Sequence, residues 1–219
     1  MANAVIAHLV EDAVVLWTDG AFNDETYSHR NVVLVGNNCV ALHDGVEDWL
    51  GQLVPILSDT SLASYPLNEL VNALVPQLQA LRQSVPQHIG VVVAGFQPNG
   101  APQLVGLHSG RNFDIRRFWP SVIGSLPPCI WNYLVSTLSG IPNTFDNVVD
   151  KLLLAGDAYH DVVLSGAGLP KSSAVAVLRL EQGLSWMPTE ELSERLARNV
   201  HRTYALNQHL VRKFIEVGL

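Results

Sequence analysis

Charge is scarce in this sequence. Only 15% of its 219 residues are Asp, Glu, Lys or Arg, against 48% hydrophobic residues, so large areas must be buried, subunit interfaces among them. Thirteen basic residues face twenty acidic ones, a formal net charge of -7. That balance excludes an affinity built on neutralising phosphates, and nucleic acid is not an expected partner. Cysteine is rarer still. Cys39 and Cys129 are too few for a disulfide framework and are not spaced for a metal, so a reducing cytoplasm is the expected compartment. No apolar run reaches the ~18 residues that a membrane span needs, and His8, Glu11, Asp12 and Asp19 interrupt the apolar opening; neither a membrane helix nor an export signal is expected. Hydroxyls and thiols are missing from the opening as well, the first in the chain being Thr18.

What is present begins with two apolar runs, Val5 to Leu9 and Ala13 to Thr18, folded back across Val10-Glu11-Asp12. A polar stretch, Gly20 to Arg30, separates them from a second pair, Asn31 to Val35 and Cys39 to Leu42, turning at Gly36-Asn37-Asn38. These strands are apolar on successive residues, so both faces are covered although short turns imply antiparallel pairing. Helical spacing follows. Asp44-Gly45-Val46-Glu47 reads as a helix start ahead of Val46, Trp49, Leu50 and Leu53, with Pro55 expected to kink or end the helix. Pro66 sits in the expected first turn of a second helix carrying Leu67, Leu70, Val71, Leu74, Leu78 and Leu81 on one face, bent at Pro76.

From Ile89 the period returns to that of strands. Gly90 to Phe96, Gln103 to Leu107 and a run near Phe113 to Trp119 make a three-strand meander. Pro127-Pro128 then opens a helix stopped by Gly140, and Thr144 caps another that carries Phe145, Val148, Val149 and Leu152. Ala174 to Leu180 pairs with Leu184 to Met187 across Glu181-Gln182-Gly183. A last helix starts at Thr189, breaks near Tyr204 and runs towards Glu216. No repeat or linker is visible, so residues 1–219 are read as one domain with 189–219 as a C-terminal helical segment. Hairpins buried on both faces, with helices arriving in pairs, predict an α+β fold, a four-layer αββα sandwich of two antiparallel sheets; a one-sheet α+β domain is the rival.

In element order and local pattern the chain resembles the proteasome β-subunit family and the wider group of N-terminal-nucleophile (Ntn) hydrolases. The likeness rests on Val14-Val15-Leu16-Trp17-Thr18-Asp19, on Leu42-His43-Asp44-Gly45 leading into a helix, on Val91 to Phe96 with Gly100 to Leu104, and on Ile123-Gly124-Ser125 before a helix. It spans roughly Asn3 to Met187. The resemblance implies the same sandwich, assembly into rings, and amide hydrolysis by an N-terminal threonine whose own α-amine, titrating near ~8, takes the proton. No cofactor and no metal are expected. Asp19 matches the family's acidic position, Gly45 the glycine whose N–H stabilises the oxyanion, and Ser125 the serine of the loop before the third helix. The tuning lysine falls at Asn31 or Arg30, and an arginine holds its proton. The expected aspartate and serine before the seventh strand fall near Gly168 and Lys171, with Asp161 and Ser172 a loop shift away. At the nucleophile's place stand Met1, Ala2 and Asn3, none of which can attack a carbonyl.

The resemblance therefore points to a non-catalytic relative, a self-assembling or partner-binding subunit with Asn3, Asp19, Arg30, Gly45 and Ser125 as a vestigial site. The alternatives are an active amide hydrolase or threonine-type peptidase exposed by processing at Thr26 or Cys39, and a small-ligand module using the old cleft. Bland roles fit the same residues: Asp19 ends a hairpin, Ser125 caps a helix, Arg30 is a solvated charge, Gly45 enters a helix. Asp157, His160 and Asp161 share a helical face without a second pair of ligands, and His43-Asp44 lacks a partner motif. Ser165 to Ser172 is not a phosphate loop, because Pro170 removes an N–H from the cradle and a strand follows. Arg195, Arg198, Arg202, Arg212 and Lys213 concentrate on the last helix, where they meet either solvent or an acidic protein partner.

Overall fold

The computed structural model describes residues 4–18, 31–44, 46–118, 121–124, 143–159 and 174–199. The opening hairpin forms where the apolar runs predict it, as β1 (Val5–Leu9) and β2 (Ala13–Thr18), with Val5 opposite Thr18. Next come β3 (Val32–Val35) and β4 (Asn38–His43), joined by a tight turn in which Gly36 takes a φ of +60°. Only glycine fits there, because a Cβ would run into the backbone of Ala63. The meander is β5 (Gly90–Phe96), β6 (Pro102–His108) and β7 (Arg116–Phe118), and the chain closes its strands with β8 (Ser121–Gly124), β9 (Ala174–Arg179) and β10 (Gly183–Trp186).

These ten strands form two antiparallel sheets. One has the order β10-β9-β2-β1-β8, the other β3-β4-β5-β6-β7. The alternation of each strand explains how both faces are apolar. Val5, Ala7, Leu9, Val14 and Leu16 of the first sheet share one buried cluster with Cys39, Ala41, Val92, Ala94 and Leu104 of the second. The intervening residues face outward onto helices. Val40, Leu42, Val91 and Val93 pack beneath α1 (Val46–Leu57) and α2 (Leu67–Leu81), while Ile6, Val15, Trp17 and Val175 pack beneath α3 (Phe145–Tyr159) and Leu192 of α4 (Thr189–Arg198). The fold is thus α+β, with two antiparallel sheets sharing a core and helices over the other face of each. Each valine, leucine or isoleucine so placed gains about 1.5–3 kcal/mol from burial, which is why the runs need no polar interruption.

Several sequence expectations are corrected. Pro55 does not end α1 where it stands, the helix continuing to Leu57, and Pro76 lies inside α2, which is helical from Leu67 to Leu81; the buried apolar face outweighs the lost backbone bonds. Pro66 is the N-cap of α2, one position ahead of its first turn. No strand starts at Phe113. A 3₁₀ turn (Ser109–Arg111) and left-handed φ values of 51° at Asn112 and 61° at Phe113 put the Phe113 ring into the core, edge-on to Trp49, and β7 begins only at Arg116. Strand β8 was not expected, being four residues between Pro120 and Ser125; it pairs with β1 at the edge of its sheet.

The basic helix is also corrected at one position. Arg195 is buried and serves as an internal clamp, its guanidinium 2.7 Å from Asp146, 3.1 Å from Asp150 and 3.0 Å from Glu191. Three carboxylates hold its proton above the ordinary arginine range against the opposing effect of burial. It ties α4 to α3 within the chain. No helix among the described residues is long and apolar enough to cross a membrane.

Candidate functional site

Asn3, Asp19, Arg30, Gly45 and Ser125 all lie outside the described residues, as do Thr26, Cys129, His160, Asp161, the Ser165 to Ser172 stretch and the helix expected after Pro127-Pro128. Their described neighbours gather at one end of the sandwich. Val5 at the start of β1 stands opposite both Thr18, which ends β2, and Gly124, which ends β8. Asn31, just before β3, joins this group from the second sheet.

The junction is a neutral polar knot. Asn31 Nδ2 donates to Thr18 Oγ1 at 2.6 Å and to the Leu42 carbonyl at 3.3 Å, while the Leu42 N–H donates to the Asn31 carbonyl at 2.7 Å. Both side chains are buried, and Thr18 is fully so. Neither group carries charge or a proton that titrates near neutrality. Thr18, the first hydroxyl in the chain, is therefore held as a hydrogen-bond acceptor inside the sandwich and is closed to a substrate.

Beside the knot lies a cluster that sequence reading missed. His43 ends β4, opposite Gly90, and Gly90 stands opposite His108 at the end of β6. By strand alternation all three positions share the side of Cys39, Ala41, Val92 and Leu104, the face towards the other sheet. A Cβ at Gly90 would land in the His43 ring, so the glycine makes room for the imidazole. His43 Nδ1 is 2.9 Å from Asp44 Oδ2, and Asp44 takes a left-handed φ of 59°. His108 Nε2 lies 3.9 Å from the same carboxylate oxygen, and its ring stacks on His88 at 6.1 Å between centroids. Ser109 Oγ accepts from the Ile89 N–H at 3.0 Å and lies 3.2 Å from His88 Nδ1. The Asp44 carboxylate thus lies beside His43 and His108, and His88 stacks behind the second of them. The signal was Gly90, legible only once the register of three strands is known. Among the described residues no group of three His, Cys, Asp or Glu side chains has the geometry to hold a metal ion.

Cys39, one of the two residues considered as a new terminus, sits fully buried in the cluster between the sheets. Burial pushes its thiol up to about 12, so no thiolate is present at neutral pH. A cut before it would also divide β4. A thiol reagent added to the folded protein is expected to leave Cys39 unmodified until denaturant is added; peptide mapping that finds fast native labelling would contradict this placement.

No protein-family model matches this sequence, and no curated protein matches it. The geometry of this end of the sandwich therefore carries the functional reading.

Proposed function

We propose that this chain is a proteasome-β-subunit-like protein of the Ntn sandwich type that lacks the N-terminal nucleophile and works as a self-assembling or partner-binding subunit. The observation that carries the reading is the bond from Asn31 to Thr18. In the family pattern the lysine that tunes the nucleophile falls at Asn31 or Arg30; the Asn31 amide supplies no charge and no exchangeable cation, and it spends its donors on a buried hydroxyl and a backbone carbonyl. Ala4, which precedes β1, is fully buried, and Met1, Ala2 and Asn3 offer no attacking atom. Two antiparallel sheets with a shared core and outer helices are the architecture that the resemblance implies.

Assembly rests on composition. With 15% charged residues, the surface is poor in the groups that keep a monomer apart from its copies. Light scattering of the purified protein at micromolar concentration is expected to give a mass several times that of one chain, as a closed symmetric particle would. A mass equal to one chain would remove the self-assembly part of the proposal.

A further inference from the structure

We infer that His108 is a proton-sensitive latch, an imidazole whose neutral form pins the Ser109–Phe113 turn and whose protonation releases it. The inference goes beyond the subunit role and stands on different residues. His108 is the N-cap of the 3₁₀ turn Ser109–Arg111, and its Nδ1 accepts the Gly110 N–H at 3.0 Å. An acceptor at Nδ1 exists only while that nitrogen has a lone pair; an imidazolium carries hydrogen on both nitrogens and cannot accept. Protonation therefore breaks this cap outright.

The turn it pins connects the surface to the core. Ser109 takes the Ile89 N–H on its hydroxyl and donates its own N–H to the Ile89 carbonyl at 3.0 Å, and the Phe113 N–H donates to the His108 carbonyl at 3.0 Å. Phe113 then fills the core against Trp49 of α1, held in the left-handed region where a bulky aromatic residue is strained. Losing the cap lets that backbone relax, and the ring beside α1 goes with it.

The surroundings decide the pH at which this happens. Among the described residues the charges acting on His108 come from His43 and Asp44 at the end of β4, from His88 before β5 and from Arg111 within the turn; from α2, Gln79 offers only a neutral amide to the Asn112 carbonyl. Burial, then His43, Arg111 and His88 lower the His108 pKa, and Asp44 opposes them. A histidine depressed in the folded state leaves stability intact above its unfolded value near ~6.5 and loses it as pH falls through that value towards the folded pKa. The loosening thus comes with acid, not with base.

His8 supplies the contrast. Burial also lowers its pKa, but it lies in the other sheet, its Nδ1 2.7 Å from the Leu9 carbonyl. Acid strain there would weaken the sandwich without singling out the turn. The test is amide hydrogen exchange by NMR on the whole protein at pH 7.5 and 5.5, expressed as protection factors. Protection at Ser109, Gly110 and Phe113 is expected to fall by up to about tenfold, the most that one proton's linkage gives over this range, while Cys39, Ala94 and Leu104 keep theirs. His108→Asn keeps a side-chain acceptor at the cap without a titrating ring, and in it the local fall is expected to disappear. Equal protection at both pH values, a fall spread evenly over both sheets, or a local fall that survives His108→Asn would each overturn the latch. Should that variant not fold, the wild-type profile alone still separates a local fall from an even one.

Discussion

Trp49→Ala is expected to destabilise the protein by about 3–5 kcal/mol, the range for emptying a large aromatic site in a core that cannot collapse. Trp49 is fully buried, lies on the face of α1 that also carries Leu53 and Leu57, and meets the edge of Phe113 at 6.0 Å between centroids. Its indole N–H donates to the Gln87 carbonyl at 3.0 Å. One side chain thus ties α1 to the loop before β5 and to the turn after β6. Against a total stability of about 5–15 kcal/mol for a domain, this is about a fifth or more. Trp49→Phe keeps much of the packing and removes the hydrogen bond, and should cost nearer ~1 kcal/mol plus a smaller cavity term. Urea melts of both variants check the pair; a Trp49→Ala midpoint within experimental error of wild type would mean that α1 does not rest on the second sheet.

The second large effect comes from adding atoms. Gly156→Ala places a methyl on α3 where it meets the indole of Trp17, well inside the 3.0 Å that real Cβ contacts keep. Two terms compete. Alanine for glycine inside a helix gains about 1 kcal/mol of propensity, while overpacking a filled core costs typically ~1–3 kcal/mol and more when nothing can move. Trp17 is fully buried between β2 and α3, and the atoms met belong to a rigid ring, so the clash wins and the variant is less stable. In a Trp17→Leu background the same substitution should become neutral or stabilising, because the obstruction is gone. A double-mutant cycle by thermal melting reads this coupling. Additive effects would show that α3 and β2 are not in the contact described.

Both substitutions probe layers that the sequence made legible. Strands β1, β2 and β5 begin and end at the predicted residues because their apolar runs are continuous, and continuous runs forecast cover on both faces. The Leu67 to Leu78 stripe likewise gave α2 directly. Less local features were hidden. Strand β8 has only four residues and forms because β1 has an open edge. Phe113 reads as strand by composition, yet two left-handed residues turn it into the core. Pro55 reads as a kink or a stop, and a helix end anchored by Leu53 and Leu57 carries on past it to Leu57.

At the candidate site the sequence said less. The five vestigial positions fall outside the described residues, and it is their neighbours Val5, Thr18, Asn31 and Gly124 that bond or pair at one end. The histidine cluster was illegible for another reason. His43 and His108 meet only because both stand opposite Gly90 across three strands, and register is a property of pairing, not of any single run. The family's lysine falls at Asn31 or Arg30 by sequence, and no local pattern there foretells the bond from Asn31 to Thr18.

We propose that the residues ahead of β1, Met1, Ala2 and Asn3, supply no group able to attack an amide. Intact-mass spectrometry after prolonged incubation with a threonine-directed electrophile tests it most directly. The account predicts the mass of the unmodified chain; a stoichiometric adduct that maps to the start of β1 or to a newly exposed threonine would contradict it.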